Sequence, residues 1–178
     1  MDAGEAGLAE DELSRLRRRD PDALVELIRR YQHRLYRYLL RFAPDAAEDL
    51  FQQTWLRVVE SIHRYDGRRA FDAWLFAIAH NLAIDHLRRR APESLDDSGE
   101  DRFASRDPDP RERLLTSERR AAVAAALSEL PSLYRETLSL RFEEDMKLEE
   151  IAETVGAPLA TVKSRLRRGL EALRRIVR

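Results

Sequence analysis

Residues 148–178 read LEEIAETVGAPLATVKSRLRRGLEALRRIVR, a segment with two helical patterns separated by a turn. Ile151 and Val155 are four residues apart, so they share one face of a short first helix. Gly156 can adopt the positive φ that a sharp turn requires, and Pro158 is tolerated in the first turn of a second helix. Together these features predict a helix-turn-helix.

The second helix combines an apolar stripe with concentrated positive charge. The stripe recurs at intervals of three and four residues: Leu159, Val162, Leu166, Leu170 and Leu173. Between Leu159 and Arg178 there are seven basic residues against one acidic residue, Glu171. Polar residues off the stripe would face a DNA major groove, as in the recognition helix of such a motif. These residues are Thr161, Lys163, Ser164, Arg167 and Arg168. An amphipathic core helix with a solvated basic face would show the same pattern, so both interpretations stand on this segment alone.

Composition narrows the class of protein. The chain has 178 residues, of which 43% are hydrophobic and 37% charged, so it is a globular chain of one domain or two small ones. It has no cysteine, which excludes disulfides, thiol catalysis and cysteine metal ligands. Its longest apolar runs, at 73–79 and 121–127, are too short for a membrane span, and the N-terminus resembles no signal peptide. We therefore expect a cytoplasmic protein.

The remaining chemistry-bearing residues give no sign of an enzyme. The four histidines, at positions 33, 63, 80 and 86, lack the spacing of metal ligands and are expected to be surface or partly buried residues. There is no glycine-rich phosphate loop and no nucleophile with a base partner. The sequence thus predicts no catalytic residue, no cofactor and no metal.

Charge is segregated along the chain although the formal net charge is only −1. Residues 1–91 carry 16 basic and 15 acidic side chains, residues 92–117 carry 4 and 8, and residues 118–178 carry 12 and 10. The middle segment also contains three prolines among serine, glycine and aspartate, which prevents a continuous helix. It is therefore interpreted as an acidic linker.

Helical periodicity dominates on both sides of this linker. Asp20-Pro21 is a helix-start signal, followed by a long amphipathic pattern to Phe42. Pro44-Asp45 opens a second helix, Gly67 marks a loop, and Phe71 begins a third helix that ends in Arg88-Arg89-Arg90. With no convincing strand, we predict an all-α fold of two small helical domains. The predicted segments are a flexible N-terminal segment (1–20), a three-helix-type bundle (21–91), a flexible acidic linker (92–114) and a helix-turn-helix domain (115–178).

This organisation resembles a bacterial RNA polymerase sigma factor of the extracytoplasmic-function (ECF) group. Three parts of the sequence carry the resemblance: DAAEDLFQQTWLRV at 45–58, FDAWLFAIAHNLAIDHLRRR at 71–90, and LPSLYRETLSLRF at 130–142 with its continuation through 151–153 and 161–165. In that family they correspond to the polymerase-binding helix, the minus-ten helix and the minus-thirty-five domain. The domains 21–91 and 115–178 would then be sigma regions 2 and 4.

The resemblance implies partners and site residues. The partners would be core RNA polymerase, through its largest-subunit clamp and flap, and promoter DNA. An anti-sigma factor is a further partner that the family allows. Polymerase contacts would be Glu48, Asp49, Leu50, Gln52 and Gln53. Minus-ten contacts would be Tyr65 stacking on a base, Arg68 and Arg69 on the backbone, Asn81 on a base or sugar, and Arg88 and Arg89 on phosphates. Minus-thirty-five contacts would be Thr161, Lys163, Ser164, Arg165, Arg167 and Arg168.

One rival interpretation remains at this point. A helix-turn-helix transcription regulator that is not a polymerase subunit would share the C-terminal motif. Such a regulator would not require the helices at 45–58 and 71–90. A pull-down of core polymerase would distinguish the two possibilities.

Overall fold

A computed structural model describes residues 8–90, 123 and 125–176, and within these ranges the backbone is helical without any strand. The α-helices are α1 (Glu10–Arg17), α2 (Pro21–Phe42), α3 (Ala47–Ser61), α4 (Phe71–Arg90), α5 (Ser132–Phe142), α6 (Leu148–Thr154) and α7 (Leu159–Ile176). Short 3-10 turns lie at Pro44–Ala46 and Ile62–Arg64, and residues 125–128 are also helical. The all-α prediction is confirmed, whereas the linker predicted at 92–114 lies outside the described residues.

Within the segment 1–20 that was expected to be flexible, residues 10–17 form helix α1, whereas residues 1–7 lie outside the described residues. Leu13 and Leu16 of α1 are buried, so this helix is part of the packed core. After α1 ends at Arg17, Arg19 has a φ of 60°, in the left-handed region, and the Asp20 amide donates to the Arg15 carbonyl. Asp20 then caps α2 by accepting from the amide of Asp22 at 3.0 Å, which confirms the predicted helix start.

Helices α2, α3 and α4 form the N-terminal module, residues 8–90. The apolar stripes predicted from sequence point inward, and Leu27, Leu35, Val58 and Leu75 are fully buried. The Phe71 ring is also fully buried, among other aromatic rings. Burial of this kind of side chain contributes about 1.5–3 kcal/mol each, which explains why three amphipathic helices suffice for a bundle.

Helices α5, α6 and α7 lie in the C-terminal module, residues 125–176. Helix α7 crosses α5 closely because position 169 is a glycine. A Cβ there would lie 3.2 Å from Leu138 Cδ1 and 3.3 Å from Tyr134 Cβ, which is tighter than ordinary packing. The absence of a side chain at Gly169 therefore fixes how closely the recognition helix packs on its support.

The two modules pack directly against each other. Helix α5 lies on α2, and α6 lies on α4. Buried side chains from the C-terminal module, including Leu140, Ile151 and Val162, belong to the same hydrophobic cluster as the core of the N-terminal module. The described residues therefore form one continuous packed unit in this arrangement.

Candidate nucleic-acid and protein interfaces

The turn between α6 and α7 has the geometry that the sequence predicted. Gly156 has a φ of 62°, and the Ala157 amide donates to the Ala152 carbonyl at 3.0 Å, which closes the end of α6. The Pro158 carbonyl accepts from the amide of Val162 and so begins α7, one residue after the proline. The helix-turn-helix is thus built from local backbone bonds.

Helix α7 presents its basic face to solvent. Val162 is fully buried and anchors the helix, whereas Lys163 and Arg168 are exposed. The exposed Arg167 makes an ion pair with Glu171 at 3.2 Å, so part of its charge is neutralised along the helix. The other three residues predicted to contact the duplex are partly buried: Thr161, Ser164 and Arg165.

A hollow of about 350 Å³ runs along the same helix. Its lining mixes apolar and charged side chains: Leu148, Lys163, Leu166, Arg167, Leu170, Glu171 and Arg174. The apolar stripe of α7 is therefore only partly covered by α5 and α6.

The proposed polymerase-binding residues on α3 divide into two groups. Glu48, Asp49, Gln52 and Gln53 are exposed, which suits a polar contact surface. Leu50 is only 2% exposed and belongs to the hydrophobic core, so it anchors α3 to the bundle and does not lie on the contact surface.

An exposed leucine on α3 was not singled out from the sequence. Leu56 is 64% exposed and lies one helical turn after Gln52. The signal was present, because Leu56 falls outside the stripe formed by Trp55, Val58 and Val59. Leu56 thus adds one apolar group to the polar face formed by Glu48, Asp49, Gln52 and Gln53.

The minus-ten candidates lie on the loop before α4 and along its exposed face. Arg68, Arg69, Asn81, Arg88 and Arg89 are all exposed. The Arg68 amide is held by the Asp66 carboxylate at 3.0 Å, which orders the loop around Gly67.

The ring of Tyr65 is buried, so the expectation that it is available for base stacking is wrong for this structure. It is 3% exposed, its ring lies 5.5 Å from Phe71 and 5.1 Å from Trp74, and its hydroxyl donates to the Arg69 carbonyl. Burial raises the pKa of Tyr65 above its usual value. The Tyr65 ring is therefore a core contact, because the rings of Phe71 and Trp74 pack against it.

A buried polar cluster joins the two modules and was not anticipated from the sequence. Glu136 of α5, 2% exposed, accepts from the Tyr38 hydroxyl of α2 and lies 2.6 Å from His80 Nδ1 of α4. Burial, followed by the nearby Glu136 charge, raises the pKa of Tyr38 well above its usual value. We call Tyr38, His80 and Glu136 the latch. Sequence periodicity could not reveal it, because the three residues lie on three different helices.

Two sets of ion pairs surround the latch. Arg34 bridges Asp72 at 2.5 Å and Glu144 of the C-terminal module at 2.6 Å, and Arg41 pairs with Glu143. Burial lowers the pKa of Arg34, but the two carboxylates outweigh that effect and raise it. Burial raises the pKa of Glu144, an effect that Arg34 opposes. Cations of one module thus face carboxylates of the other.

No group of three or more histidine, aspartate or glutamate side chains suited to a metal occurs among residues 8–90, 123 and 125–176. In the part of the chain that the structure describes, no helix is both long enough and apolar enough to cross a membrane.

Comparison with known proteins matches both modules to one family. Residues 27–93 match Sigma-70 region 2, and residues 120–173 match Sigma-70, region 4. The chain is 34% identical to the RNA polymerase sigma-H factor of Pseudomonas aeruginosa, over 90% of this chain and 89% of that protein. It is 29% identical to the ECF RNA polymerase sigma factor SigW of Bacillus subtilis, over 93% of this chain and 95% of that protein.

The fold is also similar to a solved structure. The sigma factor RpoE of Bartonella quintana, crystallised with the anti-sigma factor NepR, superposes with a TM-score of 0.70 at 23% identity, covering 85% of this chain and 94% of that chain. At this identity the likeness concerns the fold alone. A regulator with only a helix-turn-helix would not account for the match over residues 27–93.

Proposed function

The chain belongs to the ECF group of RNA polymerase sigma factors, and from that premise we propose which of its residues contact polymerase and promoter. As a member of this family it is a transcription initiation factor and not an enzyme, and it directs core polymerase to promoters. The resemblance stated from the sequence is thus confirmed for family and function. The domain bounds 21–91 and 115–178, with a linker at 92–114, are our assignment of regions 2 and 4.

Core polymerase binds the exposed face of α3 in this proposal. Glu48, Asp49, Gln52 and Gln53 supply charge and amide groups, and Leu56 supplies an apolar contact that the buried Leu50 does not provide. Such a surface can associate without burying an unpaired charge. The main observation that supports this proposal is that these side chains share the solvent-exposed face of α3, while the opposite face of α3 packs into the hydrophobic core.

The test compares the affinity of full-length variants for core polymerase. Asp49→Arg with Gln53→Ala should weaken binding, since charge reversal at a contact opposes association. Asp11→Arg, at an exposed position of α1, is the matched charge-reversal control and should bind as the parent does. Equal binding of both variants, with helical content unchanged, would remove α3 from the polymerase interface.

The minus-ten element is assigned to the loop before α4 and to its exposed face. Arg68, Arg69, Arg88 and Arg89 provide a basic track for phosphates, and Asn81 can donate to a base or sugar. We do not retain base stacking for Tyr65 in this arrangement, because its ring is enclosed by Phe71 and Trp74. Promoter melting is proposed to use the remaining residues.

The minus-thirty-five element is assigned to the exposed face of α7. Lys163 lies near the start of the helix, where a recognition helix meets base edges, and Arg168 is placed for a phosphate. Thr161 and Ser164 can bond phosphates or base edges, whereas the ion pair with Glu171 makes Arg167 less available. Arg165 is partly buried and contributes least.

Salt dependence separates these roles. Arg168→Ala should weaken binding to all duplexes and lower the slope of log affinity against log salt by about 1. Lys163→Ala should weaken mainly the preferred sequence, by roughly 1–3 kcal/mol. Arg175→Ala, an exposed residue late on the helix, is the matched control and should have little effect. If Arg175 mattered while Lys163 and Arg168 were silent, α7 would face DNA the other way round.

Location and regulation follow from the family. We propose that the protein acts in the cytoplasm, where polymerase and promoters are found. The RpoE structure was solved with an anti-sigma factor, and we propose that an anti-sigma factor also holds this chain inactive. Co-purification of the full chain with the products of neighbouring genes would identify such a partner.

A further inference from the structure

Helix α1 lies outside the residues that match the sigma family, yet it packs beside the loop assigned to the minus-ten element. We call residues 65–70 the minus-ten loop. The match to Sigma-70 region 2 begins at residue 27, whereas α1 spans Glu10–Arg17. The helix packs against the 3-10 turn Ile62–Arg64, directly before the minus-ten loop. The packing therefore joins an element of unassigned role to a proposed DNA-binding loop.

A charge-assisted hydrogen bond ties α1 to the start of the minus-ten loop. The Arg17 guanidinium donates through Nη2 to the backbone carbonyl of Tyr65 at 2.7 Å, although the two residues are 48 positions apart in the chain. Hydrogen bonds with an ionised donor are shorter and stronger than those between neutral groups. Within the described ranges Arg17 forms no ion pair, so the Tyr65 carbonyl is the polar partner of its guanidinium.

A second residue of α1 lies against the turn of the same loop. Leu13 is buried, and a Cβ at Gly67 would lie 3.9 Å from its Cδ2, which is an ordinary van der Waals distance. Gly67 has a φ of 77°, in the left-handed region that favours glycine. Leu13 therefore supports the backbone of the turn, and Arg17 holds the chain two residues before that turn.

Tyr65 links this contact to the far end of the loop. Its hydroxyl donates to the Arg69 carbonyl at 2.6 Å, and its buried ring packs on Phe71 and Trp74. Its amide donates to the Ile62 carbonyl at 3.1 Å. The backbone and the side chain of Tyr65 are thus both fixed. A shift of the Tyr65 backbone would move Arg69, one of the two loop arginines assigned to phosphates.

Helix α1 is itself anchored to the N-terminal module. Arg15 pairs with Asp20, which caps α2, at 2.8 Å. Glu12 pairs with Arg30 of α2 at 3.0 Å, and Leu16 is buried. Ordering a loop before it binds its ligand removes part of the entropy cost of binding. An anchored helix that bonds the loop therefore prepares the loop for a single strand.

We propose that α1 is a positioning element for minus-ten recognition, with Arg17 as its positioning residue. Arg17 holds Tyr65 and thereby presents Arg68 and Arg69 to the melted strand, without touching DNA itself. This inference rests on the proposed assignment of the minus-ten loop to the melted strand. The Arg17 bond is then needed for minus-ten binding, and it is dispensable for the polymerase surface on α3 and the duplex surface on α7.

The test compares Arg17→Ala with Arg18→Ala in full-length protein bound to core polymerase. Arg18 is the matched control, because it is the next residue, is exposed, and has no polar side-chain partner among the described residues. Binding is measured to a single strand that spans the minus-ten element of a promoter the parent transcribes, over a series of salt concentrations. Binding to core polymerase and to a minus-thirty-five duplex is measured on the same proteins.

Arg17→Ala should weaken binding to the single strand by about three- to tenfold, because a smaller fraction of molecules holds the loop ready. The slope of log affinity against log salt should not change, since Arg68 and Arg69 still meet the phosphates. Core binding and duplex binding should stay at parental values, and Arg18→Ala should match the parent throughout. Parental binding of the single strand by Arg17→Ala would overturn the proposal. A slope lowered by about 0.7 would also overturn it, because Arg17 would then contact a phosphate directly.

Amide hydrogen exchange gives a second readout on the same variants. Arg17→Ala should speed exchange at residues 65–70 of the full-length protein and leave α2 and α3 as in the parent, because only the loop loses a bond. Unchanged exchange in the loop would show that Arg17 does not order it, and faster exchange throughout the bundle would show a role in general stability; either result contradicts the proposal. If the parent with core polymerase did not bind the single strand, the minus-ten assignment itself would fail, which is a distinct outcome.

Discussion

Replacing Tyr38 by phenylalanine isolates one hydrogen bond of the latch. The Tyr38 side chain is 1% exposed, and its hydroxyl donates to Glu136. Its ring contacts Phe76 at 5.1 Å and Phe42 at 5.9 Å between centroids, and these contacts persist in phenylalanine. The substitution therefore changes the polar contact and little else.

The magnitude follows from the surroundings of Glu136. Its Oε2 already lacks a partner, so the variant leaves the carboxylate with the His80 contact alone among the described residues. A hydrogen bond to a charged group contributes about 1.5–3 kcal/mol net. For a chain of this size, each kcal/mol shifts Tm by about 2–4 °C, so Tm should fall by roughly 3–12 °C.

The assay is urea and thermal unfolding of full-length protein followed by circular dichroism. Tyr36→Phe is the matched control, since Tyr36 is 39% exposed and keeps its edge contact with Phe51 in the variant. It should change the free energy of unfolding by less than about 0.5 kcal/mol. An equally small effect of Tyr38→Phe would refute the view that the latch carboxylate depends on this donor.

Three further predictions concern the backbone, the helix crossing and pH. Gly156→Ala should lower the free energy of unfolding by about 1–2 kcal/mol, because φ at this position is 62°. Arg19→Gly should raise the free energy of unfolding by up to about 1 kcal/mol, because Arg19 also has a positive φ, 60°, in the turn after α1. Urea unfolding measures both changes. Gly169→Val should cost at least about 1–3 kcal/mol in the same assay, since even a Cβ is too close to α5. Burial raises the pKa of Tyr31, Tyr38 and Tyr65 above the unfolded value of 10.0, so their contribution to stability is complete below pH 10 and is lost as pH rises through the folded pKa. Tyrosinate absorbance during alkaline titration should therefore show three of the five tyrosines ionising only on unfolding, and earlier ionisation would contradict their burial.

Much of the candidate site could be predicted because its signals are local. The stripe of α7 identified Val162 as core and Lys163 as exposed, and both placements hold. By contrast, Tyr65 looked like a loop residue open to bases, yet it is buried. Position in a loop does not specify burial, because the rings that cover Tyr65 come from the following helix.

The sequence by itself determined the helices, the turn at Gly156 and the family, since these depend on residues within a few positions of one another or on contiguous motifs. Only the tertiary structure decided how the modules meet. Tyr38, His80 and Glu136 are separated by 98 and 56 residues along the chain, and each is compatible on its own with a surface position. These three residues are buried because α5 packs on α2 and α6 packs on α4. No local sequence pattern specifies this packing, because a long-range contact depends on how whole helical faces fit together.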